Sequence, residues 1–318
     1  MIKTILVPAT GNETDIAALD AALQVAQVFA THIDALHIRG DSVELAVATM
    51  TDGSGGPMTG GLVEQLEQDA RDREARAHRI FTDFCGRKCL SITTAPPEAN
   101  AHSSAQWRAE TSGEPGWVTR YGITADLSRG TAPSAQWHVE TGEEPHWMTR
   151  YGLAADLIVA SRGTVDDIAT ARSTLEEVLI ETGRPLLIPS AAAPSAAMTS
   201  RIAIAWKATP QTARAVAAAM PLLVRAEEIV VMTVQEEEDR SDDADRLVRN
   251  LEWHGVKAVA QRLKPDAGSA ADTLLAAAEK FGLLVMGGYG HGQLREWIFG
   301  GFTQQVLVSA PLPVLIVH

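Results

Sequence analysis

The chain has 318 residues, a hydrophobic fraction of 46% and a formal net charge of −13 at pH 7. That length suffices for two ordinary domains with packed cores, and the acidity opposes non-specific binding to nucleic acid, whose phosphates attract Lys and Arg. The apolar runs are too short to span a bilayer and residues 1–15 lack the apolar core of a signal peptide, so a cytoplasmic protein without membrane or nucleic-acid partners is expected.

Residues 2–7 read as a strand. Ile16, Leu19, Leu23 and Ala26 then recur at helical spacing. Residues 32–38 suggest a second strand, residues 51–61 a Gly/Thr-rich loop, and residues 62–87 a long charged helix. Cys85 and Cys89 are too few for a disulfide scaffold. Their spacing offers two thiolates on a helix, but no His or Cys cluster completes a metal shell; they read as buried or incidental.

An internal repeat follows. Residues 104–127 recur as residues 134–157, an offset of 30 that superposes Trp107 on Trp137, Pro115 on Pro145, Trp117 on Trp147, Arg120 on Arg150 and Asp126 on Asp156. Each copy reads as strand, turn and helix, and two copies are too few for a solenoid. The paired Trp residues read as core packing. A duplicated βα unit is therefore expected to add a strand and a helix at an edge of an N-terminal sheet; the alternative is that one copy loops out or swaps between chains. Residues 156–160 and 185–188 give the fourth and fifth strands of this half.

Residues 190–200 are small and polar with one Pro, and residues 191–200 are taken as a linker. The order of elements then repeats. Residues 201–206 read as a buried strand, and Thr209-Pro210 as an N-cap followed by Pro at the first helical position. Residues 228–234 are β-rich. The acidic run at residues 236–245 reads as a solvated loop and helix start, with Ser241 capping a helix striped by Ala244, Leu247, Val248 and Leu251. Residues 256–263 suggest a third strand. Ser269 and Asp272 form a capping box. Residues 283–286 are a fully apolar fourth strand, and residues 313–317 a fifth. Strands alternating with helices imply parallel sheets with right-handed crossovers. The expectation is an α/β chain of two tandem Rossmann-like domains, residues 1–190 and 201–318.

The segment with chemical content is residues 286–303, MGGYGHGQLREWIFGGFT. Loops at the carboxyl ends of parallel strands form the ligand crevice, and backbone N–H groups of glycines can cradle phosphate oxygens. The segment is neither a Walker A loop, having no GK[ST], nor a dinucleotide fingerprint, because its glycines follow the fourth strand of the domain. Gly287, Gly290 and Gly300 are separated by two and nine residues.

This spacing, G-x2-G-x9-G after a fourth strand, together with the strand order of both halves, resembles the universal stress protein family and its ATP-binding members. The resemblance implies adenine nucleotide alpha hydrolase-like domains forming a pseudo-dimer paired through their last strands, residues 186–188 and 314–317, which are edges needing cover, with a possible homodimer beyond it. It implies that Met286, Gly287, Gly290, His291, Gly300 and Thr303 line a phosphate and ribose region, with adenine near Thr233 and Val234. Two positions depart from the pattern. Gly301 stands where ATP-binding members have Ser or Thr, and Lys207 stands where the family has Asp. Lys207 either meets a phosphate or points to water. No carboxylate or nucleophile is placed beside His291, so it reads as positioning the loop; Tyr289 and Trp297 either cover a ligand or pack the loop. In the N-terminal half, Ala160 stands at the first motif glycine, Ser173 at the third, and Thr10 at the Asp position. That half is expected to be structural or to take a different ligand. ATP or another adenine nucleotide is the implied cofactor of the C-terminal half. The implied role is regulator or binder in a stress response, because no base or metal-binding carboxylate pair flanks the loop. The alternatives are an interaction module without nucleotide and a slow ATP hydrolase.

Overall fold

The computed structural model describes residues 1–41, 60–94, 132–162, 168–190, 197–234, 242–265, 269–288 and 301–318. Its strands are β1 (Thr4–Pro8), β2 (His32–Arg39), β3 (Ser91–Ile92), β4 (Ser134–Thr141), β5 (Leu157–Val159), β6 (Leu186–Ile188), β7 (Arg201–Ala205), β8 (Glu228–Val234), β9 (Val259–Leu263), β10 (Leu283–Gly287) and β11 (Val314–Val317). The described helices are α1 (Asp15–Phe29), α2 (Gly60–Lys88), α3 (Glu144–Gly152), α4 (Ile168–Thr182), α5 (Pro210–Leu223), α6 (Asp243–Trp253), α7 (Ala270–Ala278) and α8 (Gly301–Ser309).

All eleven strands form one sheet in the order β3-β4-β2-β1-β5-β6-β11-β10-β7-β8-β9. Every pairing is parallel except one: β6 meets β11 antiparallel, with Leu187 opposite Leu315. The expected meeting of the two last strands is thus what joins the halves. Central strands carry apolar side chains on both faces because helices cover both sides. Ile5, Ile33, Leu187, Ile204, Val285 and Leu315 face one core layer with α1, α2, α5 and α6. Leu6, Leu36, Leu186, Ala203, Met286 and Ile316 face the other with α3, α4, α7 and α8.

Local signals set the helix starts. The Thr209 side chain accepts from Thr212 N–H, and Pro210 occupies the first turn. Ser269 and Asp272 form the reciprocal capping box. At α6 the N-cap position is Asp242, with no side-chain cap bond; Ser241 lies outside the described residues. The third strand of the C-terminal half begins at Val259. Gly255 has φ +73, and the turn it makes occupies the start of the expected run.

The repeated unit is resolved in its second copy, which forms β4 and α3. Copy 1, residues 104–127, lies outside the described residues. Strand β4 pairs with β2 as β9 pairs with β8, so copy 2 supplies the regular third strand of its half. The two-residue β3 lies outside it.

Equivalent hydrogen bonds correct one alignment. Ile158 N–H donates to Pro185 O as Leu284 N–H donates to Pro313 O, and Asp156 N–H donates to Thr4 O as Gly282 N–H donates to Arg201 O. Val159 therefore corresponds to Val285 and Ser161, not Ala160, to Gly287. The spacing pattern alone is insensitive to a one-residue slip, whereas the sheet register is not.

On the α3 side of β2 and β4, Asp34 Oδ1 lies 2.9 Å from His138 Nε2 and 3.5 Å from His32 Nε2, while His32 Nδ1 contacts Ser134 Oγ at 2.8 Å. Burial by itself raises the Asp34 carboxyl, but the hydrogen bonds from His32 and His138 outweigh it and hold the group below its ordinary value of 3.8. A depressed carboxyl adds stability above the unfolded-state value and loses it as pH falls through the folded-state value. Asp34→Asn is therefore expected to lower stability at pH 7 and to lose that disadvantage progressively below about pH 4. Urea unfolding of parent and variant between pH 7 and pH 3 checks this.

Candidate functional site

The C-terminal crevice is built where β7, β8 and β10 end. Trp206 N–H extends the β7 ladder by donating to Met232 O at 2.8 Å. The chain then leaves the sheet at Lys207, whose side chain is exposed. Thr209 starts α5, and its hydroxyl lies 2.9 Å from that of Thr212. Thr233 and Val234, at the end of β8, are half-buried and pair with Arg262 and Leu263 of β9.

Among the expected site residues, Met286 is buried at 2% exposure with its side chain in the core, so only its main chain can face a ligand. Gly287 has a steric reason of its own. A Cβ there would lie 2.4 Å from Thr212 N and 2.7 Å from the Gln211 carbonyl carbon, so glycine lets α5 cross β10 closely. At Gly288 a Cβ would meet Ile316 Cδ1 at 2.8 Å. Gly301 differs: it opens α8, is exposed, and a Cβ would have nothing within 4 Å. Thr303, one turn into α8, is buried. Thus Thr233, Val234, Gly287, Gly301 and Lys207 stand partly or fully exposed around the strand ends. Gly290, His291 and Gly300, with Tyr289 and Trp297, lie outside the described residues.

Sequence reading passed over Trp206. Its indole Nε1 is buried with no hydrogen-bond partner among the described residues, one residue before Lys207. The available signal was an indole directly after a buried strand, where an N–H donor needs a partner.

The N-terminal counterpart is filled. The bond from Ala9 N–H to Leu36 O matches that from Trp206 N–H to Met232 O, which places His37 opposite Thr233 in the pseudo-symmetry. His37 is buried, lies 2.6 Å from Ala9 O through Nδ1, and stacks on Trp137 with ring centroids 6.0 Å apart. Trp137 packs in turn on His78 and Phe81 of α2. A Cβ at Gly11, whose φ is +84, would lie 2.9 Å from Arg73 O of α2. Asp15 accepts from Thr10 Oγ1 at 2.7 Å and Gly11 N–H at 2.8 Å. Its carboxyl is raised by burial, against those hydrogen bonds. The space between Val7, Asp15, Ala77 and Phe81 has no room for a water molecule. Helix α2 has 29 residues and α6 has 11, so the extra turns of α2 lie across the ends of β1 and β2.

In α/β domains, the carboxyl ends of the parallel strands are where ligands are taken. Residues 198–318 match the model of the universal stress protein family, so this part of the chain is a domain of that family. A universal stress protein from Archaeoglobus fulgidus DSM 4304 has a similar structure, with a TM-score of 0.64 at 13% identity over 99% of this chain and 95% of that one. A functionally unknown protein from Pseudomonas aeruginosa PAO1 is similar with a TM-score of 0.51 at 13% identity, covering 99% of this chain and 92% of its own. At these identities the likeness is one of fold, and it extends over both halves. No curated protein matches the sequence significantly. No described helix is long and apolar enough to cross a membrane.

The two glycines separate by substitution. Gly287→Ala is expected to destabilise the protein by about 1–3 kcal/mol, because a methyl must displace the α5 backbone. Gly301→Ala is expected to be neutral or slightly stabilising, by less than about 1 kcal/mol, since the helix start has room. Thermal and urea unfolding of both variants measure the contrast.

Proposed function

We propose that the C-terminal half is an adenine-nucleotide-type binding module, and that the protein acts in a stress response as a cytoplasmic binder or regulator rather than as an efficient catalyst. The observation that carries this reading is the asymmetry between equivalent crevices. The N-terminal one is filled by His37, Trp137 and α2. The C-terminal one is bordered by exposed or half-buried residues of a universal stress protein family domain. In this reading the main chain near Gly287, Gly290, His291 and Gly300 and the start of α8 hold phosphate oxygens, Thr303 supports the α8 end, and Thr233 and Val234 flank the base. Lys207 is exposed and can turn toward an anion, but an ammonium cannot accept the hydrogen bonds that a carboxylate takes from ribose.

Calorimetric titration with ATP, ADP and AMP tests the proposal. Gly290→Val is expected to abolish binding, while Gly163→Val in the N-terminal half leaves it unchanged. Gly301→Ser adds a hydroxyl where there is space for it. A charge-assisted hydrogen bond of about 1.5–3 kcal/mol corresponds to tightening by about tenfold or more. Equal loss from both valine variants would refute the assignment to one half. Absence of binding by the parent and by Gly301→Ser at millimolar nucleotide would favour an interaction module instead.

A further inference from the structure

The two halves differ where the chain enters the first strand of each. His32 N–H donates to Lys3 O as Glu228 N–H donates to Ser200 O, so Lys3 corresponds to Ser200 and Met1 to Met198. Met198 is buried at 1% exposure, in the core layer that holds Leu187 and Leu315. Met1 is 81% exposed. It borders an open cleft of about 260 Å³ at the seam where β6 meets β11.

One residue accounts for the difference. Ser200 N–H closes a turn on Ala197 O at 3.0 Å, and that turn folds Met198 inward. The equivalent Lys3 N–H donates instead to Asp156 Oδ2 at 2.7 Å, and Thr4 N–H donates to the same oxygen at 3.2 Å. In the C-terminal half the position of Asp156 belongs to Gly282, which has no carboxylate to take these donors. Asp156 therefore holds the entry to β1 in a course that leaves open what a methionine closes in the other half.

The cleft has an apolar base and one charged edge. Leu187 and Leu315, the central pair of the seam, line its base, and Ala217, Ala218 and Pro221 of α5 form a wall whose small side chains leave room. Asp156 is the ionisable side chain among the described lining residues, and its Oδ1 accepts no hydrogen bond from them. A carboxylate can only accept, so it selects a ligand that donates, and a cationic donor most strongly. Small-molecule sites have this make-up, apolar walls with few polar groups. An apolar cavity of about 150 Å³ already takes a benzene-sized guest. The shape of the guest is given by Met198, whose side chain is unbranched and flexible.

We propose that the seam cleft binds a short, linear primary alkylammonium, with its chain where Met198 lies in the other half and its ammonium on Asp156 Oδ1. The site stands at the amino ends of β1, β5 and β6, away from the C-terminal crevice at the carboxyl ends of β7, β8 and β10. It is independent of the nucleotide reading. Because α5 and Leu315 come from one half and the other lining residues from the other, a bound amine bridges the seam.

Methyl resonances of Ala217, Ala218 and Leu187 read occupancy as the full chain is titrated with n-pentylammonium. One saturable site is expected. The alcohol n-pentanol has the same chain without the charge and is expected to bind at least about tenfold more weakly. Asp156→Asn keeps an acceptor for Lys3 and Thr4 N–H but removes the charge, so it is expected to bring the amine down to the level of the alcohol. Ala217→Leu, at an exposed position of α5, is expected to fill the cleft and abolish binding of both. The proposal is overturned by the absence of a saturable shift in the parent at high millimolar amine, by equal affinity of the parent for amine and alcohol, or by undiminished binding in Ala217→Leu. Binding that arises only in Met1→Ala makes Met1 the occupant and overturns it equally. Nα-acetyl-lysine methylamide binding as tightly as n-pentylammonium assigns the cleft to a lysine of a partner protein and overturns the free amine as the ligand.

Discussion

Leu187 lies opposite Leu315 at the centre of a three-residue antiparallel contact, and the two parallel half-sheets become one sheet through it. Strand β6 would otherwise end the N-terminal half-sheet and β11 the C-terminal one, each with unpaired N–H and C=O groups beside fully buried apolar side chains. Pairing them satisfies both edges at once. It also lets each core layer run without a break from one half to the other. Side chains cross the same seam. Arg162 Nη1 donates to Val308 O near the carboxyl end of α8, and the Arg225 guanidinium lies 4.6 Å from the Phe29 ring centroid. A cation at a helix carboxyl end is favoured by the helix dipole.

The pairing imposes near-symmetry on the strands but not on what covers their ends. Equivalent main-chain hydrogen bonds run through both halves, while the helices after the second strand differ by 18 residues, 29 against 11. Arg73 O, in the extra turns of the longer helix, closes on Gly11 just beyond β1, while His78 and Phe81 pack on Trp137. The same fold position is thereby a packed core in one half and a bordered crevice in the other. Close packing tolerates no intermediate state: once Trp137 fills the space between His37 and α2, no room for even a water remains.

Glycine has two meanings at the C-terminal crevice. Gly287 is required by the helix that passes over it, whether or not a ligand is present. Among the described residues, no neighbour requires Gly301. A spacing pattern treats the two alike, because it records the absence of a side chain and not the reason for it. The same limit applies to the N-terminal motif, where the pattern fits equally well one residue out of register and only the hydrogen bonds from Asp156 and Ile158 fix the alignment.

The sequence by itself determined the order of strands and helices, the caps at Thr209 and Ser269 and the existence of the repeat. Each of these rests on local chemistry: runs of apolar residues, a hydroxyl or carboxylate placed to accept an N–H, and identity between two segments. Tertiary structure alone decided that copy 2 forms the regular third strand, that α2 fills the N-terminal crevice, that Trp206 carries a buried N–H with no partner among the described residues, and that Gly287 serves helix packing. Those facts depend on contacts between residues far apart in the chain, such as Gly11 with Arg73 and Gly287 with Thr212. Their distances are set by how whole elements pack, which no local pattern encodes.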